Sequence, residues 1–135
     1  PLAGKRGSIT RGFTYANCIA IGQNADGSTQ AGTRLLGTLG HELVHAAWPI
    51  ISQRIEAHKS AFDAAVVNQW AHKGPPSKYF VDNVDRRNPE MGLHDERQER
   101  VAELYRCYLT EPGRLDGSML RFFDKYFAPN AWPDG

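Results

Sequence analysis

Cysteine is scarce: the chain has two, Cys18 and Cys107, among 135 residues. So few exclude the multi-bridge framework that holds many small secreted folds together, and their spacing is not that of a metal-binding pair. Both read as small, separately buried side chains, with a single disulfide between them as the other arrangement. Long apolar runs are also lacking. None approaches the roughly 18 residues of a membrane-spanning helix, so membrane insertion is not expected. Charge of one sign is missing too, with 16 Lys and Arg against 15 Asp and Glu and a net charge of +1. That balance, without any basic block, speaks against a surface that tracks nucleic-acid phosphates and against a polybasic membrane patch. No internal repeat or low-complexity tract interrupts the chain. The opening "PLAGKRGSITRG" has neither the apolar core of a signal peptide nor an initiating Met. An excised domain or a processed chain is therefore expected, and localisation is left open between a secreted protein and a piece of a larger delivered one.

What is present is ordinary for one soluble domain: 41% hydrophobic and 23% charged residues. We read residues 1–135 as a single domain, with 1–12 a loose arm carrying a short strand near Ser8–Arg11 and 128–135 a tail. A chain this long can bury a core without disulfides or metal, so a metal here would serve function more than scaffold. "FTYANCIAIG", 13–22, is rich in aromatic and β-branched residues and reads as one or two strands. "QNADGST", 23–29, is a loop of turn formers.

Residues 30–47 read as a helix with Ser28 or Thr29 as N-cap. Leu35, Leu36, Leu39, Leu43, Ala46 and Ala47 recur at helical spacing, and Pro49 ends or kinks it. Gly37 and Gly40 interrupt it at about 1 kcal/mol each relative to Ala. Either they admit another backbone, such as a strand crossing the helix, or they are merely tolerated. A second helix, Ser52–Ala71, is expected to turn Ile55, Phe62, Ala65, Val66 and Trp70 inward until "HKGPPS" stops it. Residues 75–92, with three prolines, read as a long irregular stretch of the kind that often carries function. A third helix, about Leu93–Leu109, carries Val101, Leu104, Tyr105 and Tyr108. "SMLRFFDKYF" reads as a short last helix.

Within the first helix, "GHELVHAAW" holds His41, Glu42 and His45. Positions i and i+4 share a helix face, so two imidazole nitrogens can converge on one point roughly 2 Å from each. Glu42 sits beside that face, where its carboxylate can reach a water on a metal without being a ligand. This is the H-E-x-x-H arrangement of metal-assisted hydrolysis. Catalytic zinc takes three protein ligands and keeps a position for water, so a third must come from elsewhere. In "HDERQERVAELYRCYL", Glu99 and Glu103 are one turn apart. Glu99 as ligand, with Glu103 behind it accepting an N–H from a zinc-bound histidine, would supply an inner and an outer shell together. Glu103 lies among Val101, Ala102, Leu104 and Tyr105, which favours an inward direction. Glu96 and His94 remain alternative ligands. His58 and His72 read as surface or boundary residues.

"TLGHELVHA", followed about fifty residues later by "ERVAELYR", resembles the gluzincin zinc metallopeptidases. Among them it is most similar to the group of the anthrax lethal factor catalytic domain, a bacterial toxin and effector group. The "HELVHA" block is also similar to type III effector metallopeptidases. The order of elements matches over about residues 15–125, and only the two helical motifs are specific. The resemblance implies an α+β, mostly helical zincin-like domain with a small β-sheet packed on the H-E-x-x-H helix. It implies Zn2+ held by His41, His45 and Glu99, Glu42 as general base and Glu103 as outer-shell carboxylate. The family also places a Tyr shortly before the third ligand as oxyanion donor. Gly92 occupies that spacing here, and Tyr79 in "PSKYF" takes the role, with His94 in reserve.

The function implied is a zinc-dependent endopeptidase acting on a protein substrate, secreted or delivered as a bacterial toxin or effector domain. An extended peptide would lie along the edge of the "CIAIG" strand. Two rivals stand beside it. One is a non-catalytic zinc- or peptide-binding module on a zincin fold, against which an intact Glu42 argues. The other is an SprT-like DNA-associated protease, against which the near-neutral charge argues. Nucleic acid is not expected as a partner.

Overall fold

Small residues decide how the first long helix packs. In the computed structural model, which describes residues 12–15 and 18–21 by their backbone together with 28, 31–82 and 96–127, that helix is α1, Gly32–Ala46. Its main partner is α5, Glu96–Thr110. Its buried residues are Gly37, Thr38, Gly40, Glu42, Val44 and His45, of which Gly37, Gly40 and His45 meet α5. Leu36, Leu39 and Leu43 point the other way and are 41–47% exposed. A Cβ on Gly40 would stand 2.4 Å from Leu109 Cδ1, and one on Gly37 would stand 3.2 Å from Arg106 Cγ and 3.3 Å from Thr110 Cγ2. The glycines therefore let a second helix approach, not a strand. The α1 N-cap is Ala31, without a side-chain cap bond, in place of the expected Ser28 or Thr29; Thr29 lies outside the described residues.

Chain breaks follow local chemistry. After α1 the chain turns at Ala47, and Pro49 falls in the first turn of α2, Trp48–Ala57, where its missing N–H is not needed. The expected second helix is two. His58, at φ −126° and ψ 36°, separates α2 from α3, Lys59–His72, and its ring stacks on Tyr126 at 3.8 Å. Gly74, at φ +83°, follows the end of α3 in the left-handed region that glycine adopts without strain. The stretch expected to be irregular contains a short helix, α4, Lys78–Phe80, capped by Ser77. Beyond α5, a 3-10 turn over Pro112–Arg114 leads to α6, Gly117–Tyr126, whose N-cap Asp116 accepts from Ser118 N.

The core joins α1, α2, α3, α5 and α6 through Val44, Ile51, Ile55, Phe62, Ala65, Val101, Leu104, Met119, Phe122 and Phe123, each under 5% exposed. Val66 and Trp70 pack against it half-buried. Gln69, fully buried, ties α3 to the approach to α6. Its Nε2 donates to the carbonyls of Gly74 (2.9 Å) and Arg114 (3.0 Å), and its Oε1 accepts from Asp116 N (2.6 Å).

The α+β class is not what forms. Where side chains are described, the chain is 85% helical, and the layer that buries α1 is a helix. The β-structure among the described residues is one antiparallel hairpin near α1, β1 Gly12–Tyr15 with β2 Cys18–Ile21. Among the described residues that hairpin is the whole of the sheet, too little to set an α+β class. The expectation of a small sheet packed on the motif helix is corrected accordingly. The arm, the strand near Ser8–Arg11 and the tail lie outside the described residues. No helix among those described is long and apolar enough to cross a membrane.

Candidate metal centre

The close approach of α1 and α5 brings two helical carboxylates under two helical imidazoles. His41 and His45, one turn apart, direct their Nε2 atoms at each other across 3.2 Å. The Glu99 carboxylate straddles them, with Oε1 3.1 Å from His45 Nε2 and Oε2 3.4 Å from His41 Nε2. These separations fit a cation better than a set of mutual hydrogen bonds. Ligand atoms 2.0–2.2 Å from a tetrahedral ion stand about 3.3 Å from one another by geometry. Glu99 Oε2 is buried and meets His41 Nε2 at 3.4 Å without a well-formed hydrogen bond, and a buried carboxylate oxygen costs free energy unless a positive charge stands beside it. The nitrogens and carboxylate are the donor set of zinc.

Behind the ligands lies a second layer. His41 Nδ1 donates to Glu103 Oε2 at 2.8 Å, which fixes the tautomer and leaves Nε2 directed at the site. Glu103, 2% exposed, also accepts at Oε2 from Arg106 Nε (3.0 Å) and at Oε1 from Ser77 Oγ (2.6 Å). Burial alone would push His41 down, but hydrogen bonds and charge from Glu103 and Glu99 outweigh it and hold the imidazole at about 10. The carboxylates answer in kind. Burial would raise both, yet the His41 and His45 bonds hold Glu99 at about 2, and the His41 bond with the Arg106 charge holds Glu103 at about 2.

Glu42 is buried on the same helix, 6% exposed. The Tyr79 ring stands edge-on to His41, centroids 5.9 Å apart. Burial, and then the charges of Glu99, Glu103 and Glu42, raise its phenol well above the usual tyrosine range. Tyr79 is therefore a neutral O–H donor at any physiological pH, and it shares a neighbourhood with all three carboxylates.

Of the residues singled out in the sequence, the fold brings together His41, His45 and Glu99 as a group able to hold a metal, with Glu103 behind and Tyr79 beside them. Glu96 is exposed and paired with Arg100 at 2.9 Å, on the solvent side of α5 and away from the ligands. His94 lies outside the described residues. His72 is exposed and bonds Asp116 at 2.7 Å. Cys107 is buried and a free thiol, with burial pushing it up to about 11; Cys18 has no described side chain. Two residues were missed. Arg106 stands three residues after Glu103, a helix-neighbour spacing that was open to view. Ser77, before a three-residue helix, gave a cap signal but nothing that told of its reach to α5. No family model matches the chain, and neither does any curated protein or solved structure.

Proposed function

We propose that this chain is a zinc-dependent endopeptidase that hydrolyses peptide bonds of a protein substrate. The observation that carries the reading is the convergence of His41, His45 and Glu99, with Glu103 orienting His41 and Glu42 buried on the ligand helix. A zinc ion held there by His41, His45 and Glu99 would supply a water acidified to a pKa of about 7 and an electrophile for the scissile carbonyl. Glu42 receives the proton of the attacking water and delivers it to the leaving amine. Tyr79, which keeps its proton, donates to the oxyanion that develops on the carbonyl oxygen. Glu103 keeps the His41 ring in the orientation and tautomer that binding needs. The likeness of the two motifs to the lethal factor group extends the reading to a bacterial toxin or effector domain, secreted or delivered.

The test pairs metal analysis of the purified protein with a search for newly cleaved termini across a proteome. Glu42→Gln should retain zinc while cleavage falls by at least about 100-fold, the lower end of what general-base catalysis contributes. Glu99→Ala should weaken zinc binding far more than Glu96→Ala. Full proteolysis by the glutamine variant removes Glu42 from the mechanism, and equal effects of the two alanine variants remove Glu99 from the ligands. Zinc uptake with no cleavage of any protein would leave a non-catalytic zinc-binding module instead.

A further inference from the structure

We propose that Ser77 is a positioning residue that couples the metal shell to the segment carrying Tyr79. The inference rests on the metal-centre reading above and goes beyond it by making one hydroxyl responsible for two parts of the site. Ser77 is buried, 7% exposed. Its Oγ donates to Glu103 Oε1 at 2.6 Å and accepts from Phe80 N at 3.1 Å. A serine hydroxyl has a single proton, and here that proton is committed to the carboxylate that holds His41. A lone pair accepts from the turn in which Tyr79 sits. A continuous path of hydrogen bonds runs from His41 Nδ1 through Glu103 and Ser77 to the Phe80 amide, one residue past Tyr79.

The surroundings hold this path in place. The Cys107 thiol of α5 donates to the Pro76 carbonyl at 3.4 Å, and Phe80, fully buried, packs edge-on to Trp70 with centroids 5.9 Å apart. The first contact keeps the segment against α5 and the second against α3. Neither sets the orientation of Glu103; among the described residues, the hydroxyl and Arg106 hold that carboxylate from behind His41. Loss of the hydroxyl frees Oε1 to rotate, loosens the His41 ring and removes the cap of the turn that aims Tyr79. Ser77 touches neither ligand position nor substrate, so its effect is carried by these neighbours.

The experiment uses zinc itself and one spectroscopic probe, with no dependence on turnover. The protein is labelled with 3-fluorotyrosine, the Tyr79 signal is assigned among five tyrosines through Tyr79→Phe, and zinc is titrated against a competing chelator. In the unaltered protein, zinc loading should shift the Tyr79 fluorine signal. Ser77→Ala should weaken zinc about tenfold, at the low end for an outer-shell partner, and abolish the shift. Ser77→Thr should restore both. Ser77→Gly removes the hydroxyl but keeps a residue that caps helices well, so it replaces the alanine variant if that one does not fold. Either folded variant that keeps zinc affinity within twofold and keeps the Tyr79 shift overturns the proposal, as does failure of the threonine to rescue. If the unaltered protein binds no zinc, the metal-centre reading fails and this inference falls with it. Zinc binding without cleavage leaves this inference standing and removes only the peptidase.

Discussion

His41 is the residue on which the centre turns, because each of its ring nitrogens faces a carboxylate, Nδ1 toward Glu103 and Nε2 toward Glu99. In the metal-free protein those charges hold it at about 10 against burial, so at neutral pH a proton occupies the place a cation would take. If the proposed centre takes zinc, the ion would displace that proton. Calorimetry at pH 8 in buffers of different ionisation heat should show about one proton released from this ring per zinc bound, and zinc affinity should climb with pH until His41 titrates. Stability of the metal-free protein follows with opposite signs at the two ends. Glu99 is lowered to about 2 from 4.5, so its contribution is complete above 4.5 and is lost as pH falls toward 2. His41 is raised from 6.5 to about 10, so its contribution is complete below 6.5 and is lost as pH rises through 10. Urea unfolding in chelator should therefore show a plateau between 4.5 and 6.5 with a decline on each side. Saturating zinc should flatten the alkaline decline, and an unchanged alkaline limb would count against His41 as a ligand.

At the scale of elements, the contact between α1 and α5 is both a packing joint and the site. Its closeness depends on Gly40, whose added side chain would meet Leu109 and then Tyr105, at 2.4 and 3.6 Å from the Cβ. Gly40→Leu should destabilise the protein by about 1–3 kcal/mol, the usual cost of overpacking. It should also weaken zinc binding, since any parting of the helices separates Glu99 from the two histidines. Leu36→Ala, on the exposed face of the same helix, should change stability by no more than about 0.5 kcal/mol. Thermal unfolding and chelator competition on the two variants read both quantities. A Gly40→Leu protein as tight for zinc as the original would show that helix spacing does not govern the centre. Of this joint, the motif spacing disclosed which side chains share a turn. It did not disclose that the leucines would face out. Periodicity orders residues around a helix axis, while the inward side is chosen by whichever neighbour packs there.

Across the whole molecule, the α3–α6 half can be perturbed apart from the centre. Gln69 holds that half together through three buried hydrogen bonds and has none with a site residue. Gln69→Leu strands the Gly74 and Arg114 carbonyls and the Asp116 amide, and should cost at least about 2 kcal/mol. Zinc affinity of the folded fraction should stay unchanged. Loss of zinc binding in step with stability would instead show the two halves to be one cooperative unit with the site.

The sequence alone determined what local periodicity can carry. His41 and His45 share a face because a helical turn is 3.6 residues, Glu42 falls beside them, and Glu99 and Glu103 repeat the same spacing on another helix. The tertiary structure alone decided that the two turns meet, that a helix and not a sheet covers α1, and that Ser77 and Arg106 complete the shell around Glu103. Those outcomes depend on contacts between residues far apart in the chain, where the loss of side-chain volume at Gly37 and Gly40 selects one partner over another, and no pattern within a single segment encodes the partner.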